Sequence, residues 1–317
     1  MTYEFTDLLL IVSVMLFISI TASKTTGKIN IPSLLLFLGI GMFAGSDVVG
    51  IYLDDPHIAQ SLGVISLILI LFSGGLDTQL SVVKPVLLHG ILLSTVGVLI
   101  STFSIGYFVS YISDFSLLEG LLLGAIVSST DAAAVFSILR SKKTGLKGKI
   151  RPILEFESGS NDPMAYFLTI AFTYLLTTPE APVLDLVPIF IKQMTIGSIL
   201  GYLMGNAMVL IINKIKLDIE GLYPVLLLSL TLFTYAGSDF IGGNGFLAVY
   251  ISGIILGNKN FVHKKSLLRF YDGQAWLMQI VMFITLGLLV FPIRIIPIIG
   301  IGLIISLFLI FIARPLA

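Results

Sequence analysis

The chain has 317 residues, of which 56% are hydrophobic and only 11% are charged, and its 18 basic and 18 acidic residues give a formal net charge of zero. Soluble domains average about 25% charged residues, so this composition and a mean hydropathy of +1.05 exclude an ordinary soluble protein. The long apolar stretches do not alternate with polar residues, which predicts an all-α polytopic membrane protein and not an outer-membrane barrel. The absence of cysteine excludes disulfides and thiolate metal sites.

Apolar runs predict eleven membrane spans in chain order. They cover residues 7–23, 31–50, 61–76, 86–111, 117–139, 150–177, 187–212, 222–237, 244–257, 274–291 and 295–315. The first run follows Glu4 and Asp7 instead of a basic segment, so a retained helix is expected and not a cleaved signal peptide. Several spans are shorter than the roughly 20 residues that cross a bilayer straight, and these are expected to be tilted, broken or packed inside the bundle.

Lysine and arginine set the predicted orientation. The loop from Arg140 to Arg151 holds six basic residues, and the loop after the ninth span holds Lys259, Lys264, Lys265 and Arg269. Under the positive-inside rule both loops are cytoplasmic, while acidic residues mark the opposite loops. The N terminus is therefore expected outside, and the end of the eleventh span inside.

The middle of the fifth span holds small and hydroxylated residues around a carboxylate, in the order Ser128-Ser129-Thr130-Asp131-Ala132-Ala133-Ala134. Small residues allow close packing and hydroxyl groups can satisfy carbonyls where a helix unwinds, so a broken helix near 128–134 is predicted. Free carbonyls with Thr130 and Asp131 would make an oxygen site suited to a hard cation. The alternative is a helix-packing face in which Asp131 only caps a half-helix.

The sixth span carries a second polar motif, Glu157-Ser158-Gly159-Ser160-Asn161-Asp162-Pro163. Glu157 and Asp162 lie about 140° apart around a helix axis and so face different partners. Asp162 follows Ser158 by one helical turn, which predicts a cation cluster of Asp162, Ser158 and Thr130. A buried Glu157 needs a counter-charge, and Arg314 is the intramembrane base available late in the chain, so a structural ion pair between them is predicted.

Asp162 is the predicted exchange group. A desolvated carboxylate can hold either a proton or a cation, and this competition is sufficient for exchange if the site opens alternately to each side. Because Asn161 is neutral, the cluster supplies one exchangeable negative charge, which favours one-for-one, electroneutral exchange. The alternative for Asp162 is a paired structural carboxylate.

Three motifs together resemble the monovalent cation/proton antiporter superfamily, and the most similar branch is the NhaP/CvrA-type potassium/proton antiporters. The motifs are Ser-Ser-Thr-Asp-Ala-Ala-Ala-Val-Phe at 128–136, Glu-Ser-Gly-Ser-Asn-Asp-Pro-Met-Ala at 157–165, and Arg-Phe-Tyr-Asp-Gly-Gln-Ala-Trp-Leu-Met-Gln-Ile-Val-Met-Phe at 269–283. The resemblance extends over nearly the whole chain. It implies an NhaA-like inverted-repeat antiporter fold, with about 11 helices present of about 13 expected.

The resemblance also implies roles for individual residues. The ion is expected to be surrounded by Asp162, Thr130, Ser158 and Asp131. Asn161 is expected to support the crossed helices, and Glu157 to pair with Arg314. The implied activity is secondary transport that exchanges a monovalent cation, K⁺ in preference to Na⁺, for H⁺, without an enzymatic reaction or a cofactor.

The domain organisation follows from the same resemblance. Residues 1–84 are expected to form dimerisation scaffold helices, 85–178 the first half of the core transport bundle, 179–291 linker and scaffold helices, and 292–317 the start of a second core half. The core is expected to slide against the scaffold of a homodimer in the bacterial inner membrane, with lipid as a partner and no nucleic acid. Because family members have further helices, the sequence predicts a shortened chain.

Two other functional classes fit the sequence less well. A passive cation channel would need a continuous polar pore, and no span carries enough polar side chains to line one. An intramembrane aspartyl enzyme would need two matched carboxylates; Asp131 and Asp162 could supply them, but their small and amide neighbours suit ion ligation better. The sequence does not separate K⁺ from Na⁺, since selectivity depends on cavity size and ligand number.

Overall fold

A computed structural model describes residues 5–29, 32–45, 47–51, 53, 55–131 and 148–317. These residues form helices and turns, and no strand occurs among them. The helices in chain order are α1 (Phe5–Ile29), α2 (Ser33–Ala44), α3 (Pro56–Asp77), α4 (Leu80–Ile112), α5 (Leu117–Ser128), α6 (Ile150–Ser160), α7 (Asp162–Thr177), α8 (Val183–Ile215), α9 (Leu222–Phe240), α10 (Gly245–Gly257), α11 (Lys264–Leu288) and α12 (Pro292–Leu316).

The all-α prediction is confirmed, and each of the eleven predicted spans overlaps a helix. The sixth predicted span is two helices, α6 and α7, joined at Asn161. In the fifth, α5 ends at Ser128, and the remainder of that prediction, from 132 to 139, lies outside the described residues, as does most of the predicted basic loop, from 140 to 147. Within the described part of the chain, α3, α4, α8 and α12 are long and apolar enough to cross a membrane.

The described residues fall into two compact units. One contains those of Met1–Ile70 and Gly273–Ile298, and the other those of Leu71–Val135, Gly145–Asp272 and Ile299–Ala317. In the first unit, α2 and α11 cross closely at two glycine residues. A Cβ at Gly287 would lie 2.8 Å from the Cα of Gly41. The candidate functional site lies wholly in the second unit.

Within the second unit, α10 is held by glycine contacts on two sides. Towards α8, a Cβ at Gly201 would lie 2.6 Å from the carbonyl oxygen of Ala248. Towards the end of α3, a Cβ at Gly253 would lie 2.6 Å from the carbonyl oxygen of Phe72. Backbones approach this closely only where there is no side chain, so these contacts fix α10 against its two neighbours.

The helices that carry the candidate site share a separate apolar core. Buried side chains of α4, α5 and α7 pack together there, and they are Val98, Leu121, Ala125, Met164, Ala165, Phe167, Leu168, Ala171, Phe172 and Leu175. The end of α12 packs on α4, where the rings of Phe108 and Phe308 stack with centroids 3.9 Å apart. This packing brings residue 314 to the end of α5.

Candidate functional site

The first half of the site is the end of α5. This helix begins with a capping box, in which the Ser116 N–H donates to Glu119 Oε2 at 2.8 Å and the Glu119 N–H donates to Ser116 Oγ at 3.4 Å. It ends at Ser128, since Ser129 is extended, with φ −73° and ψ 152°. The chain therefore leaves the helix at a run of hydroxyl groups, and the last carbonyl groups of α5 lose their helical partners.

The second half is the junction of α6 and α7 at Asn161. Its N–H donates to the Glu157 carbonyl at 2.9 Å, and its own carbonyl accepts from Met164 at 3.1 Å and Ala165 at 3.0 Å. Pro163 fits directly after the junction because the first turn of a helix needs no donor there. The helical direction thus continues, and the side chains of Glu157 and Asn161, one turn apart, meet on a common face.

A network of polar groups ties the two halves together. The Asn161 amide donates to Thr130 Oγ1 at 2.6 Å and to Glu157 Oε1 at 3.1 Å. Ser158 Oγ donates to the Thr130 carbonyl at 3.1 Å. Thr130 Oγ1 lies 3.2 Å from Ser158 Oγ and 3.4 Å from Glu157 Oε2, and with a single hydrogen it can donate to one of them at a time.

Asp162 meets the other half of the site through Ser129. Ser129 Oγ lies 2.5 Å from Asp162 Oδ1 and 3.0 Å from Asn161 Oδ1, and its one hydrogen is best used on the carboxylate. Asn161 is fully buried, whereas Asp162 is partly exposed. A carboxylate that combines a close hydroxyl donor with an open side can exchange what it binds.

Asp131 stands at the end of the described segment, and its side chain is exposed. Its negative charge and that of Glu157 both act on Asp162. Among the described residues, no three side chains of His, Cys, Asp or Glu come together as a group that could hold a metal ion. The oxygens near Asp162 include the neutral Ser129 Oγ and Asn161 Oδ1, and oxygen ligands of this kind suit a hard cation.

Arg314 connects the two halves from α12. Its Nη1 lies 3.6 Å from Glu157 Oε1, and its Nη2 donates to the Ser128 carbonyl at 2.6 Å. Glu157 is 8% exposed, so an isolated charge there would be costly. One guanidinium thus compensates a buried carboxylate and one of the carbonyl groups released at the end of α5.

The structure groups the site residues differently from the predicted cluster of Asp162, Ser158 and Thr130. Thr130 and Ser158 form hydrogen bonds with each other and with the Asn161 and Glu157 side of the network, while the hydroxyl group that contacts Asp162 belongs to Ser129. Sequence reasoning did not select Ser129, although it is adjacent to Thr130. The signal was the run of three hydroxyl residues, but which of them faces Asp162 depends on where α5 ends.

Comparison with known proteins relates the whole chain to one family. The family model described as "Sodium/hydrogen exchanger, transmembrane" matches residues 12–317. The chain is 41% identical to a K⁺/H⁺ antiporter NhaP of Alkalimonas amylolytica, over 98% of this chain and 54% of that protein. It is 41% identical to a K⁺/H⁺ antiporter NhaP2 of Shewanella sp. strain ANA-3, over 95% and 52%. The chain therefore spans about half the length of these curated relatives.

A solved structure has the same fold. The sodium proton antiporter MjNhaP1 of Methanocaldococcus jannaschii, solved at pH 8, superposes with a TM-score of 0.82 and 27% identity, over 96% of this chain and 75% of that one. A Na⁺/H⁺ antiporter of the same organism is 28% identical over 93% of this chain and 71% of its own length.

Proposed function

The chain belongs to the transmembrane sodium/hydrogen exchanger family, and from this premise we propose that it is the part of a secondary transporter that exchanges a monovalent cation for H⁺ by alternating access. The observation that carries the proposal is the geometry at Asp162. A partly exposed carboxylate accepts a 2.5 Å hydrogen bond from Ser129 at a point where one helix ends and two others join. Such a group can bind a proton or a cation at the same oxygens.

Competition at Asp162 is the proposed mechanism. With a cation bound, the carboxylate is charged, and Ser129 donates to it while nearby oxygens complete the ion's coordination. With a proton bound, the carboxyl group is neutral and has no attraction for the cation. Since the neighbouring Asn161 is neutral, one positive charge replaces another, and the exchange is electroneutral.

The oxygen ligands of the cation are proposed from the same geometry. Asp162 supplies the negative charge, and the hydroxyl groups of Thr130 and Ser158 lie 3.2 Å apart on the two facing segments. Asp131 contributes a second carboxylate that attracts cations to the site. Asn161 and the Glu157–Arg314 pair are proposed as supports that hold the crossing in register, since they bind to protein groups in the present arrangement.

K⁺ is the proposed substrate, and Na⁺ is the alternative. The relatives that are 41% identical to this chain are named as K⁺/H⁺ antiporters, while the relative named as a Na⁺/H⁺ antiporter is 28% identical. Both ions prefer oxygen ligands and differ in size and hydration. The K⁺ proposal therefore rests on similarity, and the transport assay below includes both ions.

The proposed assembly is a homodimer in the bacterial inner membrane with the N terminus outside. Residues 1–84 and 179–291 are proposed to supply scaffold and linker helices, 85–178 the first half of the moving core, and 292–317 the start of its second half. The buried side chains shared by α4, α5 and α7 all lie within 85–178, which supports the proposed core range, and Phe190 and Met194 of α8 pack against them from the proposed linker range.

The test is transport by the full chain in liposomes that contain a pH-sensitive dye. Addition of K⁺ or Na⁺ on one side is expected to change the internal pH, and the size of the response identifies the preferred ion. Asp162→Asn keeps the shape of the side chain but removes the exchangeable charge, so it is expected to abolish the response. An unchanged rate across clamped membrane potentials would support electroneutrality.

Asp114→Asn is the matched control. Asp114 is exposed in the turn between α4 and α5 and lies outside the proposed site, so the same chemical change there is expected to leave exchange intact. Exchange that survives Asp162→Asn would remove Asp162 from the mechanism. Lack of exchange in the full wild-type protein with both ions would contradict cation/proton antiport.

A further inference from the structure

Helix α10 is tightly packed beside the α6–α7 junction that carries Asp162. Its glycine contacts with α8 and with the end of α3 are close backbone contacts, which pack α10 tightly against both neighbours. The contacts of α10 with α6 and α7 include side chains. Tyr250 Oη would lie 2.7 Å from a Cβ at Gly159, and Asn244 Nδ2 donates to the Pro163 carbonyl at 3.2 Å.

These two contacts flank Asp162 along the chain. Gly159 is three residues before it, and Pro163 is the residue directly after it. Asn244 is the N-terminal cap of α10, and Tyr250 lies about two turns further along the helix. The junction that carries the exchange group is therefore touched on both sides by a helix that is itself held in place.

Apart from the side-chain amide group that reaches Pro163, two other polar groups of Asn244 hold this residue in place. Its N–H donates to the Gln193 carbonyl of α8 at 2.9 Å, and its Oδ1 caps α10 by accepting from the Leu247 N–H at 2.9 Å. The side chain is buried, with 4% of the residue exposed. A buried amide that loses its acceptor is penalised, so the bond to Pro163 stabilises the arrangement in which it forms.

We propose that Asn244 is a positioning residue that latches the Asp162 junction to α10 in one of the two access states and releases it in the other. The proposal rests on the proposed function, because alternating access requires Asp162 to change its surroundings. Any movement of the start of α7 along α10 separates the Asn244 amide from the Pro163 carbonyl, since the amide cannot follow without giving up its cap. The latch therefore increases the population of the state in which it forms, and it does not contact the ion.

Asn244→Ser isolates the latch from the cap. Serine is as good an N-cap as asparagine, but its shorter side chain cannot reach the Pro163 carbonyl. We expect near-wild-type thermal stability with a shifted balance of states. A ligand's apparent affinity scales with the population of the state that it binds, so the ratio of the apparent KM values for the cation on the two membrane faces should change by about three- to tenfold.

Measurements of exchange in inside-out and right-side-out vesicles give that ratio. A merely structural defect would lower Vmax, or raise both KM values together, and leave the ratio unchanged. Asn213→Ser is the matched control, because Asn213 also bridges backbone groups, accepting from the Val262 N–H at 3.0 Å, but it contacts neither α6 nor α7. An unaltered ratio in a stable Asn244→Ser protein would overturn the proposal, and a control that moves the ratio equally would do the same.

Amide hydrogen exchange in detergent tests the latch without transport. Asn244→Ser is expected to accelerate exchange several-fold in peptides that cover the first turns of α7, whereas Asn213→Ser should not. If the wild-type protein does not transport, the proposed function fails, and this measurement alone decides whether Asn244 holds the junction. Equal exchange in the three proteins would overturn the latch even if cation/proton exchange is established.

Discussion

Two regions of the second unit are held together by opposite means. Where α10 meets α8 and α3, glycine residues bring backbones into contact and leave no space for a side chain. Where the end of α5 meets the α6–α7 junction, the polar contacts are hydrogen bonds among Ser129, Thr130, Ser158, Asn161 and Glu157, at 2.6 to 3.4 Å. The glycine contacts consist of closely packed backbone, whereas the polar contacts include hydroxyl groups that can change their hydrogen-bond partners.

The difference indicates which region can change during a transport cycle. A hydroxyl group with two acceptors within reach, such as Thr130 Oγ1, can change partners at little cost. A backbone contact at a glycine has no polar side chain that could change partners. Substitutions in the two regions test this contrast, and a new side chain at a glycine contact is expected to have the largest effect.

Gly201→Ala should damage the fixed region most. The new Cβ would lie 2.6 Å from the Ala248 carbonyl oxygen, a backbone atom that cannot turn away, so α8 and α10 must separate. We expect a loss of about 3 kcal/mol of stability, at the upper end for overpacking, measured as a lower midpoint of thermal unfolding in detergent. Gly237→Ala is the control, because its nearest neighbour would be 3.9 Å away. Equal midpoints for the two variants would mean that the α8–α10 contact tolerates separation.

Arg314→Met should have an intermediate effect on the polar region. It keeps an unbranched, flexible side chain but leaves Glu157 without its counter-charge and the Ser128 carbonyl without its donor. Because Arg314 is 29% exposed and the ion pair is 3.6 Å long, we expect about 2 kcal/mol of destabilisation, below the range for a fully buried pair. Glu157→Gln in the same chain should recover part of the loss, since no unpaired charge then remains. A double variant less stable than the single one would rule out charge compensation as the role of Arg314.

Ser129→Ala should have the smallest effect on stability and a clear effect on exchange. It removes the hydroxyl group that donates to Asp162 at 2.5 Å, and because Asp162 is partly exposed, we expect a loss of only about 1 kcal/mol of stability. The proton then competes better with the cation, so the apparent KM for K⁺ at pH 7 should rise by roughly tenfold, and the increase should diminish at higher pH. Ser160→Ala is the control, because Ser160 Oγ donates to the Phe156 carbonyl of its own helix at 2.6 Å. An equal KM for Ser129→Ala and wild type would assign the hydroxyl group no role in ion competition.

The sequence was sufficient to predict the helices and to select Asp162, Glu157 and Arg314 as residues of a candidate site, for identifiable reasons. Long apolar runs predict spans whatever their packing, and a carboxylate in such a run, such as Asp162, is conspicuous because it is costly there. Arg314 could be matched to Glu157 because a buried charge demands a partner and few bases were available. The confirmed all-α fold follows from the same apolar runs.

Other features could not be read from the chain. The partner of Asp162 depends on the residue at which α5 ends, because the change from helical to extended backbone at Ser129 redirects every following side chain. The sixth predicted span gave no sign that Asn244, 81 residues after Pro163, would contact it. Contacts between distant segments depend on how helices pack, and hydrophobic periodicity does not specify that.

The guanidinium of Arg314 also has a consequence for how the protein is made. It binds a carbonyl group that is 186 residues earlier in the chain. At about 5–20 residues per second, a ribosome needs roughly 10–40 s to travel that distance. Glu157 is therefore made well before its counter-charge, and the ion pair can form only after the end of α12 has been synthesised.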